Sequence, residues 1–219
     1  MKGELKEIPI TEFPEFNFKD IEEGRRKILE IRRNLPDSFI RENSRKIAQN
    51  IIETETFQKS KKIACFVGVK GEPDTSLILQ TYKEKEIFLP KTIGNEIKFF
   101  RYEGELKKGM YGIPEPESST EINPEEIDFF IVPGVIFDTR GFRIGFGKGF
   151  YDRALKKVKG KKKIIAIAWK FQIFREIKGE KEGIDIFVDE IYSEEFALYP
   201  SLARSSKNSV LVRVFDIFS

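Results

Sequence analysis

The stretch GFRIGFGKGFYDRAL, residues 141–155, places four glycines within nine residues, threads Arg143 and Lys148 between them, and continues into Tyr151, Asp152 and Arg153. Glycine has no Cβ, so successive backbone N–H groups can close on an anion and form a concave nest for phosphate oxygens. Two familiar phosphate cradles do not fit. A P-loop needs Gly-x-x-x-x-Gly-Lys-Ser/Thr, but Phe142 stands five residues before Gly147, and Gly149 follows Lys148. The dinucleotide fingerprint Gly-x-Gly-x-x-Gly, counted from Gly145 and Gly147, meets Phe150 where its third glycine belongs. The cations still suit phosphate: Arg143 offers a bidentate fork, and Lys148 a point charge suited to neutralising oxygens in phosphoryl transfer. The plain alternative is a glycine-rich connection that lets loop and helix pack closely.

Three further features bear on the chemistry. Asp152 falls in the first turn of the helix that follows the loop, where it either complements the helix dipole or joins nucleotide phosphates around Mg²⁺. Asp185, in GIDIFVDE, is the best second carboxylate, and Asp138 and Asp189 remain open by spacing. VKGEPDTS, residues 69–76, puts Glu72 in a turn that either leads to a helix capped by Asp74 or Thr75, or reads an N–H-rich heterocycle. The run KKVKGKKK, residues 156–163, has no interleaved aromatic residues and follows a predicted helix, so it reads as a solvated helix end.

Composition narrows the classes. The 219 residues suffice for one substantial domain, and 39 basic against 36 acidic side chains leave a net charge of only +3, no surplus for a nucleic-acid partner. There is no histidine, which excludes a histidine triad, histidine metal ligands and imidazole proton transfer. The single cysteine, Cys65, excludes an intramolecular disulfide and sits in an apolar run as a core thiol. No signal-peptide core and no membrane-length apolar run is visible, so the expectation is a soluble, cytoplasmic protein, with a monomer favoured. The Lys/Glu-rich composition is of a kind seen in hyperthermophiles.

These residues need elements to position them. Residues 1–18 have prolines and no period and read as a surface-draped arm. Residues 19–35 show helix-like spacing through Ile21, Ile28, Leu29, Ile31 and Leu35, and Pro36-Asp37-Ser38 breaks and restarts a helix. Strands are expected at 61–67, 86–90, 97–102, 127–134, 162–169 and 184–193, with helices at 75–84 and 147–158. The strand at 127–134 is expected to run straight into the glycine loop. Alternating strands and helices predict a single three-layer α/β/α domain over 19–199 with a largely parallel central sheet, followed by a C-terminal extension at 200–219. Ligands of such sheets bind at the strands' carboxyl ends, so the loops beginning at Gly68, Gly134 and Trp169 should share one rim.

PGVIFDTRGFRIGFGKGFYDRAL, with GMYGIPEP (109–116), IAIAWKFQI (165–173) and DIFVDEIYS (185–193), resembles the 5-formyltetrahydrofolate cyclo-ligase family over about residues 24–195. The resemblance implies a three-layer α/β fold and the conversion of 5-formyltetrahydrofolate and ATP, with Mg²⁺, to 5,10-methenyltetrahydrofolate, ADP and phosphate. It assigns Arg25, Arg143 and Gly145, Phe146, Gly147, Lys148, Gly149, Phe150 and Tyr151 to ATP, and Asp152 and Asp185 to the metal. It assigns Val67, Glu72 and Tyr111, with Phe146 to Phe150, to the folate; Lys148 and Arg143 are the expected catalytic cations. Two positions depart from the family pattern: Ile21 stands where a lysine is usual, with Lys19 or Arg26 as stand-ins, and Phe150 where a tyrosine is common. The rival from another class is a regulatory module that holds a phosphorylated metabolite without turnover; it needs Arg143 and Lys148 but gains nothing from Asp152 and Asp185.

Overall fold

Apolar residues on successive positions of FFIV, residues 129–132, face both sides of a strand, and such a strand is stable only where both sheet faces are covered. In the computed structural model, which describes residues 3–179, 185–200 and 208–215 with the exception of the Tyr111 side chain, this is the central strand. The chain begins with β1 (Glu4–Pro9), α1 (Ile21–Arg33), α2 (Asp37–Ile52), α3 (Glu55–Lys59), β2 (Lys62–Ala64) and α4 (Ser76–Leu79). It continues through β3 (Glu86–Ile93), β4 (Glu96–Arg101), β5 (Leu106–Lys108), β6 (Pro114–Pro116), β7 (Glu121–Ile122) and β8 (Phe129–Val132). Then come β9 (Ile136–Asp138), β10 (Arg143–Ile144), α5 (Phe150–Leu155), β11 (Lys163–Ile167) and β12 (Ile173–Phe174). The last strands are β13 (Glu190–Tyr192), β14 (Phe196–Tyr199) and β15 (Ser209–Val214).

Ten strands form the main sheet in the order β1-β15-β14-β13-β11-β8-β2-β3-β4-β7. Its five central strands, β13 to β3, are parallel; the flanks are antiparallel. The largely parallel sheet expected from the sequence is therefore parallel in its centre and mixed as a whole. Phe129 and Ile131 pack on one face with Ile47, Ile51, Ile78 and Leu79 of α2 and α4. Phe130 and Val132 pack on the other with Leu155 of α5 and Val158. Each such large apolar side chain, fully buried, stabilises the fold by about 1.5–3 kcal/mol.

Local differences from the sequence reading have local causes. Residues 136–144 form the hairpin β9–β10 between the central strand and the glycine loop, so the strand does not run straight into the loop. Asp138 shapes its turn, accepting from the N–H groups of Arg140 (2.9 Å) and Phe142 (3.0 Å). The expected helix 147–158 is confined to Phe150–Leu155, because Gly149 takes the left-handed conformation (φ 63°) at its start and tight turns follow its end. The expected helix 75–84 divides into α4 and a 3₁₀ turn, Gln80–Lys83. β1 and β15, from the two ends of the chain, pair with each other along six residue pairs. Among the described residues no helix is long and apolar enough to cross a membrane.

Candidate active site

The glycine loop is fixed from both ends. The β9–β10 register sets Arg143 opposite Phe137, so the loop begins at Gly145 from a paired strand. Gly147 (φ 90°) and Gly149 (φ 63°) then take conformations in which a Cβ is strained. Arg25, from α1, donates through Nε to the Gly145 carbonyl at 2.9 Å, and a Cβ built on Gly147 would lie 3.5 Å from its guanidinium. Beyond the loop, Arg153 donates to the carbonyls of Lys148 (2.9 Å) and Asn95 (2.7 Å), tying the loop to the β3–β4 turn. Lys148 and Phe146 are exposed at the loop's crest, and Phe150 is half-buried beneath the Arg153 guanidinium.

Arg143 lies inside rather than on the surface. Its side chain is 3% exposed and pairs with Asp152 at 2.9 Å, while it also donates to the Pro133 carbonyl and covers the Tyr151 ring. The same Asp152 oxygen accepts the Ile186 N–H at 3.2 Å, which draws the Asp185 segment against α5. Lys159 secures that segment from the other side by donating to the Asp185 carbonyl. Asp152 and Asp185 therefore belong to one neighbourhood. The two rival carboxylates do not join them: Asp138 is fully buried and pairs with Arg140, and Asp189 accepts the Ile164 N–H at the amino end of β11. Among the described residues no three acidic, cysteine or histidine side chains cluster as a metal cage.

Glu72 sits across the rim. After β2 the chain turns through Lys70 (φ 53°) and Gly71 (φ 75°), which folds Glu72 inward to 6% exposure. One carboxylate oxygen accepts the Val69 N–H at 3.1 Å, and the other pairs with Arg32 at 3.1 Å. Asp74 binds the Ser76 N–H locally at 2.8 Å, and Thr75 bonds to the Phe66 carbonyl. Arg32 also donates to the carbonyls of Val69, Lys70 and Gly134. Gln172 donates to the same Gly134 carbonyl, and the Trp169 indole donates to the Gly71 carbonyl at 2.8 Å. The loops beginning at Gly68 and Gly134 thus meet on the Arg32 guanidinium, and the loop beginning at Trp169 bonds to both of them.

Burial drives the electrostatics here. Desolvation pushes the Glu72 carboxyl above its ordinary value, opposed by Arg32, and pushes the Arg32 guanidinium down. Burial also raises the Tyr151 hydroxyl, which feels both Arg143 and Glu72 and so lies between the two halves of the site. Val67 is half-buried against the core beside Cys65, whose thiol burial pushes up to about 12, leaving it inert at neutral pH. The backbone of Tyr111 lies in a short 3₁₀ turn, Met110–Gly112, and its side chain falls outside the described part.

Sequence reasoning missed Arg32 and misplaced Ile31. Ile31 is 46% exposed, and the buried face of α1 is Gly24, Ile28 and Arg32. The signal was available in the spacing: Arg25, Ile28 and Arg32 recur at three and four residues, the interval of one helix face. Of the possible replacements for the family lysine, Arg26 is 63% exposed and faces Glu23, and Ile21 itself packs into an apolar cluster with Phe16 and Phe18.

With this geometry in view, the similarities to known proteins are informative. The model of the 5-formyltetrahydrofolate cyclo-ligase family matches residues 18–194. The structure of Aquifex aeolicus 5,10-methenyltetrahydrofolate synthetase is 40% identical, with a TM-score of 0.74 over 82% of this chain and 92% of that one. A 5,10-methenyltetrahydrofolate synthetase from Mycoplasma pneumoniae is 26% identical, with a TM-score of 0.66 over 80% of this chain and 99% of that one. The 5-formyltetrahydrofolate cyclo-ligase of Haemophilus influenzae is 27% identical over 173 residues, 74% of this chain and 92% of its own length. The family match takes in α1, the Glu72 turn, the glycine loop and the Asp185 segment together, and the chain belongs to the 5-formyltetrahydrofolate cyclo-ligase family.

Proposed function

We propose that the protein closes 5-formyltetrahydrofolate to 5,10-methenyltetrahydrofolate at the expense of ATP. The observation that supports this reading is the Arg32 guanidinium, which pairs with the buried Glu72 carboxylate and lies 5.9 Å from the ring centroid of Phe146 in the glycine loop that Arg25 holds. The loop side suits a polyphosphate, and the Glu72 side suits the N–H edge of a heterocycle.

The chemistry fits a chain without histidine. An amide oxygen is a poor leaving group until it is phosphorylated. The formyl oxygen attacks the γ-phosphorus of ATP and ADP departs. The second folate nitrogen then attacks the formyl carbon and loses its proton, and phosphate leaves carrying the former formyl oxygen. Phosphoryl transfer asks the protein for position and neutralisation of charge. Lys148 follows the transferred phosphate, and Arg143 holds Asp152 in place from below. Phe146 and Phe150 wall the pteridine and keep water from the activated carbon.

Two carboxylates with neither imidazole nor thiolate beside them are a hard oxygen donor set, suited to Mg²⁺ that takes its remaining ligands from water and phosphate. Asp152 and Asp185 would hold it, and it would supply charge neutralisation on the phosphate oxygens. One observation favours the rival reading of a binding module: Asp152 already neutralises Arg143 and so has a role without a metal.

Turnover separates the two. Protein mixed with 5-formyltetrahydrofolate and MgATP is expected to develop the near-ultraviolet absorbance of the methenyl product only with both ATP and Mg²⁺, and Lys148→Ala to lower the rate by about 10²–10³. Nucleotide binding without product would leave the binding module standing and end the cyclo-ligase reading.

A further inference from the structure

Arg32 is 1% exposed, and a buried ion pair is a weak device for stability, because desolvation offsets most of the attraction. The guanidinium nevertheless gathers Glu72 and the carbonyls of Val69, Lys70 and Gly134, and its Cζ lies 5.9 Å from the Phe146 ring centroid. On Glu72, Arg32 and the Val69 N–H each occupy one oxygen, and each oxygen keeps a further acceptor site for a ligand's N–H groups.

We infer that Arg32 is a positioning residue: from α1 it holds the Glu72 carboxylate ionised and in the orientation in which it meets the substrate. This rests on the cyclo-ligase reading, in which Glu72 meets the pteridine. The charged and titratable groups facing Glu72 are Arg32 from α1, Lys70 from its own turn, and the Tyr151 hydroxyl from α5. Behind Tyr151 stand Arg143 and Cys65. Burial favours the neutral acid of Glu72, and Arg32 and Lys70 favour its anion. Removing the Arg32 charge therefore moves the Glu72 titration upward. Only the anion accepts from N–H groups at both oxygens, so folate binding weakens as pH falls through that raised value and recovers as pH rises above it.

The test measures the dissociation constant of 5-formyltetrahydrofolate against pH by titration calorimetry on the full chain, for wild type, Arg32→Met, Arg32→Lys, Glu72→Gln and the double variant Arg32→Met with Glu72→Gln. Arg32→Met is expected to bind the folate about ten- to hundredfold more weakly at neutral pH and to recover as pH is raised up to the level of Arg32→Lys, with ATP affinity unchanged. Arg32→Lys keeps the charge and loses the fork, so its affinity falls with a pH profile like that of the wild type; it also serves if the methionine variant does not fold. The double variant is expected to bind no worse than Glu72→Gln, since Arg32 acts through Glu72. Equal weakening at every pH in Arg32→Met, or additive losses in the double variant, overturns the inference while the wild type still binds. A wild type that does not bind the folate overturns the cyclo-ligase reading, and the inference with it.

Discussion

At the scale of single residues, the site is built from buried charges that restrain one another. Arg143 is nearly sealed from water and Asp152 is its carboxylate partner, so the pair has a structural role beside the functional one proposed for it. The two can be separated. Asp152→Ala leaves a buried cation uncompensated and is expected to cost about 3–5 kcal/mol in unfolding free energy, read by chemical denaturation. Asp152→Asn keeps an acceptor for Arg143 and the Ile186 N–H, so it is expected to lose less stability while still losing Mg-dependent turnover. An asparagine variant with wild-type turnover would remove Asp152 from the metal assignment. Arg32 and Ile31 mark the limit of reading residues one at a time: a cation and an apolar side chain exchange their usual places, because the cation has four partners inside the rim and the isoleucine has none there.

At the scale of elements, the turn that carries Glu72 is held against helix α1 more tightly than its polar composition suggests. Gly71 has φ 75°, and a Cβ there would lie 2.2 Å from the Arg32 carbonyl oxygen. Gly94, at φ 60° in the β3–β4 turn, meets nothing within 4 Å. Both alanine variants incur the left-handed penalty of about 1–2 kcal/mol, and only Gly71→Ala adds the clash. Gly71→Ala is accordingly expected to lower Tm by several degrees more than Gly94→Ala and to weaken folate binding, whereas Gly94→Ala leaves binding intact. Thermal melts and folate titrations of the two proteins check this, and equal effects would contradict the packing described here. The β9–β10 hairpin was not legible in sequence because its strands are three and two residues long, too short to show a period, and its turn depends on Asp138 reaching backbone groups as distant as the Ile177 N–H.

At the scale of the whole molecule, the parallel centre was legible because β2, β8 and β11 are short apolar runs buried on both faces. Of the antiparallel flanks, β4 was legible as the strand expected at 97–102, whereas β1 and β14 were not. β1 is almost wholly exposed, so it shows no alternation, and its partner β15 lies some two hundred residues away. The candidate site was legible where one stretch carried it, as in the glycine loop. It was obscure where distant residues meet, as in Arg25 with Gly145 and Arg32 with Glu72. The whole arrangement rests on one chemical claim, that the formyl oxygen is phosphorylated before the ring closes. The most direct measurement supplies 5-formyltetrahydrofolate labelled with ¹⁸O at the formyl oxygen, together with MgATP, and weighs the released phosphate by mass spectrometry. The account predicts one ¹⁸O atom in each phosphate formed with methenyl product; unlabelled phosphate accompanying product would contradict it.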